Sequence, residues 1–342
     1  MDQLLKLQQK LMPDVIQTLT ERYRILRFLR LMQPIGRRTL ANNLNVSERV
    51  LRSEVTFLKE QGLVYFGTSG MTLTEQGHNL LVQLEDVMHE VFDLADMEAK
   101  LAKKLGISNV YIVPGDSDFF PWVKKEMGKK GTLLLKNLLK GEKDVIAVTG
   151  GTTIASVAEM METDSEMQDT LFVPARGGLG EQVENQANTI CATMARKAMG
   201  QYRLLHVPDQ LSKEAHDSLI QESSIRQILE LIRSANIVIH GIGQAKTMAE
   251  RRKTPENILN KLQDEQAVAE AFGYYFNHSG DIIHKVRTIG LQLEDLKHIP
   301  DVIAVAGGKS KAQAIYAYIT NGPSQMLVTD EGAATEMLNN VD

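Results

Sequence analysis

From about Asn109 onward the chain alternates short apolar runs with glycine-rich turns and helical stretches, a rhythm that few folds satisfy. The runs are Val110–Val113, Val145–Val148, Leu171–Val173, Leu204–Val207, Ile237–His240, Val302–Ala306 and Met326–Val328. A strand with one face in water alternates apolar and polar residues, whereas a strand covered on both faces is apolar throughout. Continuous runs separated by helices therefore predict a doubly wound, Rossmann-like α/β domain built on a parallel sheet. Ligands of such domains gather beyond the carboxyl ends of the strands.

The loops at those ends are the first places to look for chemistry. After Val145–Val148 come Thr149-Gly150-Gly151-Thr152-Thr153 and then a helical pattern. Glycine lets a ligand approach the backbone, while hydroxyls and free helix N–H groups bind an anion. After Val302–Ala306 come Gly307-Gly308-Lys309-Ser310-Lys311, the same device with two ammonium groups added. This is not a Walker A loop, because its first glycine would fall at Ile303, and ATP hydrolysis is not indicated. Between the two, Arg176-Gly177-Gly178-Leu179-Gly180 sets an arginine in a flexible backbone, and Arg251 and Arg252 add further charge. Gly241-Ile242-Gly243 is followed by Lys246 where a dinucleotide fingerprint needs glycine, so a nicotinamide cofactor is not indicated either.

Any one of these loops can be a plain tight turn. Taken together, two glycine-rich strand-to-helix loops and a loop arginine favour a phosphorylated ligand, and two basic loops fit a ligand with one phosphate for each. A sugar between them needs hydrogen-bonding partners, for which Gln186 and Glu270 are candidates. The Gly307–Lys311 loop leaves open whether Lys309 or Lys311 is the ligand. Cys191 and the methionines read as core filler.

The N-terminal end has a different texture. The net charge is −5 overall, yet residues 1–70 hold 11 Lys and Arg against 6 Asp and Glu. A basic end on an acidic body points to nucleic acid. Asp14–Met32 reads as a helix ended by Pro34 and Gly36, and Arg37–Asn43 as a short second one, opened by Arg37 and Arg38. Ser47 is an N-cap for a third helix, which sets Leu51, Val55 and Leu58 inward and Arg49, Arg52, Ser53 and Thr56 on the opposite face. Such donors reach phosphates or base edges in a major groove. Gly62 closes this helix, and residues 63–73 read as a hairpin with a glycine-rich tip. Helix, turn, helix, hairpin is the order of a winged helix-turn-helix. The plainer alternative is a small helical subdomain whose arginine face is merely solvated.

Thr74 caps a predicted long helix in which Leu80, Leu84, Val87, Val91, Leu94, Leu101 and Leu105 follow heptad spacing, with Glu98 in one polar slot. A dimerising linker fits that pattern, as does an amphipathic helix packed on its own body. The resulting expectation is a DNA-binding domain over 1–75, a helical dimerising linker over 76–106 and an effector-binding α/β domain over 107–342.

Several classes are excluded by composition. No apolar run approaches the ~18 residues that cross a bilayer, and the start, MDQLLKLQQK, lacks a signal-peptide core. One cysteine builds no disulfide framework, and eight histidines lack ligand spacing, so neither a metal nor a cofactor is expected and the cytoplasm is the expected compartment.

Longer stretches carry a resemblance. These are PIGRRTL at 34–40, SERVLRSEVTFLKEQGLV at 47–64, GMTLTEQG at 70–77, GDSDFFPWVKKEMG at 115–128, VTGGTT at 148–153, FVPARGGLGEQVENQANTICATMA at 172–195, AFGYYFN at 271–277 and VTDEGAA at 328–334. With them the chain resembles, essentially end to end, the SorC/DeoR family of bacterial transcriptional regulators. The resemblance implies a repressor of an operon for the lower, triose part of glycolysis, with fructose-1,6-bisphosphate as inducer. It places one phosphate at Gly150, Thr152, Thr153 and Lys311, with Gly307 and Gly308 in the same loop system. Arg176, Gly178, Leu179, Gly180 and Arg251 would hold the remaining anionic charge, and Gln186 and Glu270 would face the sugar. The implied partners are operator double-stranded DNA and a second copy of the chain, with a tetramer on DNA. The sugar domain is also similar to glucosamine-6-phosphate deaminases and related isomerases, so a sugar-phosphate isomerase or deaminase is the alternative. Such an enzyme needs a general base, for which Glu181, Asp330 and His240 are available but none stands out.

Overall fold

Helix α1 opens at Pro13, where the missing amide N–H is not needed, and runs to Met32. The computed structural model describes residues 10–141, 143–163, 165–179 and 182–341, and the chain divides between Asp96 and Met97 into two units. In the first unit, α2 (Arg37–Asn43) and α3 (Glu48–Glu60) follow as expected. The Ser47 hydroxyl accepts the Val50 N–H at 3.3 Å, and Leu51, Val55 and Leu58 are the buried residues of α3. Gly62, with φ of 73°, turns the chain into the antiparallel hairpin of β1 (Val64–Gly67) and β2 (Gly70–Leu73). A Cβ on Gly70 would lie 2.8 Å from the Ile35 backbone, so glycine is what lets the hairpin lie against the chain entering α2.

The single long helix predicted for 76–106 is two helices. Thr74 caps α4 (Glu75–Val91) by accepting the Gly77 N–H at 3.0 Å, and α5 (Leu94–Leu105) starts afresh after Asp93, whose φ of 52° is left-handed. Contact with α1, including an ion pair from Arg30 to Glu85, buries Gly77, Leu81, Met88 and Val91, a stripe that shares only Val91 with the predicted seam in this helix. Leu81 and Met88 are fully buried, whereas Leu80, Leu84 and Val87 are only half-buried. Glu98, which the heptad pattern treats as a polar gap, accepts the Ile112 N–H at 2.7 Å.

The second unit holds eleven further strands: β3 (Asn109–Val113), β4 (Val145–Val148), β5 (Leu171–Pro174), β6 (Gln201–Tyr202), β7 (Ile237–His240), β8 (Gly243–Gln244), β9 (Ala267–Ala271), β10 (Tyr274–Asn277), β11 (Ile282–Lys285), β12 (Asp301–Val305) and β13 (Met326–Asp330). Seven form a wholly parallel sheet in the order β3-β13-β12-β7-β4-β5-β6. The order runs outward in both directions from the β4/β7 boundary, the switch point at which α/β sheets open a crevice. The predicted strand Leu204–Val207 is not one: the ladder is made by Gln201–Tyr202. Leu205 is apolar because it is buried, and its N–H and C=O are both taken by the Asn188 side chain, at 3.2 and 3.0 Å.

A second, antiparallel sheet, β11-β10-β9-β8, was not foreseen. It packs through Tyr275 and Val286 on Ala245, Ala249 and Leu262 of the helices Ala245–Arg251 and Glu256–Asp264. This brings Glu270 on β9 to the crevice beyond β7.

Candidate functional site

At the switch point lies a cavity of about 120 Å³, and a neighbouring basin of about 560 Å³ shares Thr152, Gly243, Met248, Arg251 and Lys311 with it. Among the cavity's lining residues are Gly150, Thr152, Thr153, Arg176, Gly178, Leu179, Gln186, Arg251, Glu270 and Lys311, all expected from the sequence, together with Asp209 and Arg252. Gly180 and Glu181 lie outside the described residues. The floor of the mouth is the N-terminus of α6's successor, α7 (Thr152–Met160), where α6 is Val123–Leu138. Its N-cap is Gly151, with φ of 116° and no side chain to satisfy the leading amides. The first N–H groups of a helix have no intrahelical acceptor, so this end offers donors and a positive dipole to an anion. Gly150 is needed for a different reason: a Cβ there would stand 2.7 Å from the Asn185 carbonyl.

Lys311 and Arg251 face the same opening. Burial pulls the Lys311 ammonium below the ordinary lysine range, aided by the nearby charges of Lys124 and Arg251 and opposed by Asp118 and Asp330. An anion bound beside it would restore that charge.

Gly307 and Gly308 are not at the cavity, which corrects the expectation of a phosphate in their loop. The amides there are filled by the protein's own carboxylates. Asp330 Oδ2 accepts from Gly308 N at 2.8 Å, Asp116 Oδ1 from Lys309 N at 3.3 Å and Asp118 Oδ2 from Ser310 N at 2.7 Å. Lys309 turns away to Glu336 at 3.4 Å. Of the two lysines, Lys311 is the one at the site.

Arg176 and Glu270 are present but not free. Glu270 Oε1 accepts from Arg176 Nη1 at 3.2 Å, Arg252 Nη2 at 2.8 Å and Gly273 N at 2.7 Å. Asp209 takes Arg176 Nη2 on one oxygen and Arg252 Nε, at 2.9 Å, on the other. Burial alone would raise both carboxyls, but Arg176 and Arg252 outweigh it and hold them below the usual carboxylate range. The sequence had marked Arg252 only as extra charge, and it had missed Asp209 and Tyr275, whose hydroxyl meets Arg252 Nη1 at 3.0 Å. No local pattern distinguishes these residues; only the fold assembles them.

Two of the three candidate bases are committed to structure. His240 is fully buried between Phe272 and Tyr318, bonded to Ser324 Oγ at 2.8 Å, and burial lowers its pKa to about 4. Asp330, also fully buried, accepts from Ser117, Gly308 and Ala333 N–H groups at 2.8–2.9 Å. Neither lines the cavity. Among the described residues there is no cluster of His, Cys, Asp and Glu suited to a metal, and no helix long and apolar enough to cross a membrane. Burial drives the Cys191 thiol up to about 12, so it is inert at neutral pH.

On the first unit, Arg38, Ser47, Arg49, Arg52, Ser53 and Thr56 are exposed and Arg37 is half-buried. Arg22 fixes α1 to α3, bonding Glu54 at 2.8 Å and stacking 3.8 Å over Phe57, which leaves the Arg49–Arg52 face outward. Tyr65 on the hairpin is 62% exposed, an aromatic group at the wing that sequence reasoning had not singled out.

A winged-helix head and a sugar-type pocket at an α/β switch point define a DNA-binding transcriptional regulator with a sugar-binding domain. The chain belongs to the SorC family of such regulators: residues 18–88 match the CggR N-terminal DNA-binding domain and residues 89–339 the sugar-binding domain. It is 58% identical to the central glycolytic genes regulator of Priestia megaterium and 56% identical to that of Bacillus subtilis, over 338 residues covering 99% of each chain. The crystal structure of a SorC-family regulator from Enterococcus faecalis, 48% identical, superposes with a TM-score of 0.68, covering 71% of this chain and 100% of that one.

Proposed function

We propose that the protein represses a glycolytic operon in the bacterial cytoplasm, and that fructose-1,6-bisphosphate in the switch-point cavity relieves or modulates its grip on operator DNA. The observation that carries this reading is the uncapped N-terminus of α7 facing Lys311 and Arg251 across one opening. A neutral sugar has no use for that arrangement; a phosphate does. One phosphate sits against Gly150, Thr152, Thr153 and Lys311. The second is held on the side of Arg176, Gly178, Leu179, Gly180 and Arg251, with Gln186 and Glu270 toward the sugar. No metal or covalent cofactor takes part. The names of the relatives support the glycolytic assignment. His240 and Asp330 are taken up by structure and the relatives are named as regulators, which supports the sugar phosphate as an effector rather than a substrate.

Arg37, Arg38, Ser47, Arg49, Arg52, Ser53 and Thr56 meet operator DNA, with α3 in the major groove. The half-buried Leu80, Leu84 and Val87 stripe pairs two copies, and two such dimers occupy the operator as a tetramer. The effector acts by binding the low-affinity assembly better than the operator-bound one, since it shifts the equilibrium only by that difference.

Calorimetry with fructose-1,6-bisphosphate and with unphosphorylated fructose tests the ligand. Saturable binding of the bisphosphate alone is expected; equal responses, or none, would remove it. Operator binding by Arg49→Ala and Arg52→Ala tests the head. Loss of a base-reading arginine costs about 1–3 kcal/mol and relaxes specificity at one position. Parent-like binding by both variants would contradict the assignment.

A further inference from the structure

We infer that Arg252 and Asp209 are positioning residues whose charges, acting through Arg176 and Glu270, set the affinity of the cavity for phosphorylated sugars; this rests on the proposal that the cavity takes a sugar bisphosphate.

The four side chains form one closed, nearly dry network. Side-chain exposure is 1% for Arg252, 2% for Asp209, 5% for Glu270 and 10% for Arg176. Two guanidiniums and two carboxylates leave it formally neutral. Each of the three Arg252 nitrogens already has a protein partner: Asp209, Glu270 and Tyr275. Arg252 and Asp209 reach the cavity wall, but with all three guanidinium nitrogens taken Arg252 acts on a ligand by its charge and through Arg176 rather than by a hydrogen bond of its own. It shares both of its carboxylates with Arg176, the most exposed member of the network. What Arg176 can give an incoming anion thus depends on how much of the two carboxylates Arg252 has already neutralised. In a low-dielectric site one unbalanced charge acts strongly on a ligand a few ångströms away. Without the Arg252 charge, Arg176 is claimed by two carboxylates and the network turns net negative beside a polyanion. Without the Asp209 charge it turns net positive.

The sign of the effect separates this role from simple support of the fold, which any substitution would weaken. Calorimetry with fructose-1,6-bisphosphate on the full-length protein at fixed ionic strength should show Arg252→Gln weakened ~30-fold or more. Asp209→Asn should bind as tightly as the parent or tighter. The double variant Arg252→Gln/Asp209→Asn, neutral again, should return to within about five-fold of the parent, the residual being lost hydrogen bonds. Arg252→Lys, which keeps the charge and the fold but not the fork, should stay within about ten-fold. A double variant as weak as Arg252→Gln, or Arg252→Lys as weak as Arg252→Gln, would overturn the inference while leaving the ligand assignment intact. Failure of the parent itself to bind would overturn both.

Discussion

The loops after β4 and after β12 look alike in sequence and differ in what fills them. Both pair two glycines with polar residues at the carboxyl edge of one sheet. The first, Thr149–Thr153, opens onto a helix whose leading amides meet no capping side chain. The second, Gly307–Lys311, is clamped by Asp330, Asp116 and Asp118, which stand where a ligand's oxygens would otherwise go. A glycine-rich loop binds an external anion only when the protein has not supplied its own. In the second loop the device has become structural, and its contribution to the cavity is reduced to Lys311.

The largest effect should come from emptying the clamp. Asp330→Ala strands three buried N–H donors, those of Ser117, Gly308 and Ala333. Each orphaned donor costs ~1–3 kcal/mol, so urea unfolding should show a loss of at least about 3 kcal/mol. A near-neutral result would mean that the loop does not depend on its internal carboxylate. Next is His240, which ends β7 between the two loops. It is held neutral with a pKa of about 4, against an ordinary value of 6.5. Its folded pKa is depressed, so the unfolded chain takes the proton first. Stability is therefore full above pH 6.5 and falls as pH drops toward 4, by up to about 3 kcal/mol. His240→Gln should flatten that part of the stability profile.

Third, the two lysines of the clamped loop should part company. Lys311→Met should weaken fructose-1,6-bisphosphate binding by ~1.5–3 kcal/mol, whereas Lys309→Met should leave it unchanged. Because the Lys311 pKa is lowered, parental binding should take up protons on the alkaline side and weaken as pH rises there. Equal losses in both variants would return the second loop to the site. The smallest change is expected for Thr152→Ala, ~1 kcal/mol of binding, since the α7 amides remain.

Much of the frame was legible because its signals are local. Val145–Val148 and Ile237–His240 are strands with the bounds their apolar runs suggested, and the spacing of Leu51, Val55 and Leu58 marked the buried face of α3. Serine at 47 and threonine at 74 cap the helices they precede. The second sheet escaped because its strands are short and mix polarities, as in Ala267–Ala271 and Ile282–Lys285, where neither a continuous nor an alternating run stands out. The clamp escaped for another reason: Gly308 and Asp330 are 22 residues apart and Ser310 and Asp118 are 192 apart. The acidic residues of GDSD and VTD, each following an apolar run and facing one glycine loop, were the available signal. Arg251 and Arg252 are adjacent in sequence and both line the cavity, yet only Arg251 also reaches the outer basin, while Arg252 is buried and tied to Asp209 and Glu270. That division depends on where the helix Ala245–Arg251 ends.

In the proposed mechanism a sugar phosphate at the α7 loop alters operator binding by the winged-helix head. Its most direct test is an operator titration at several salt concentrations, with and without fructose-1,6-bisphosphate, for the parent and for Lys311→Met. The bisphosphate should weaken parental operator binding at every salt concentration. Lys311→Met should bind operator normally but need at least about ten-fold more effector for the same release. An operator affinity indifferent to the bisphosphate in the parent, or a Lys311→Met variant released at the parental concentration, would contradict the mechanism.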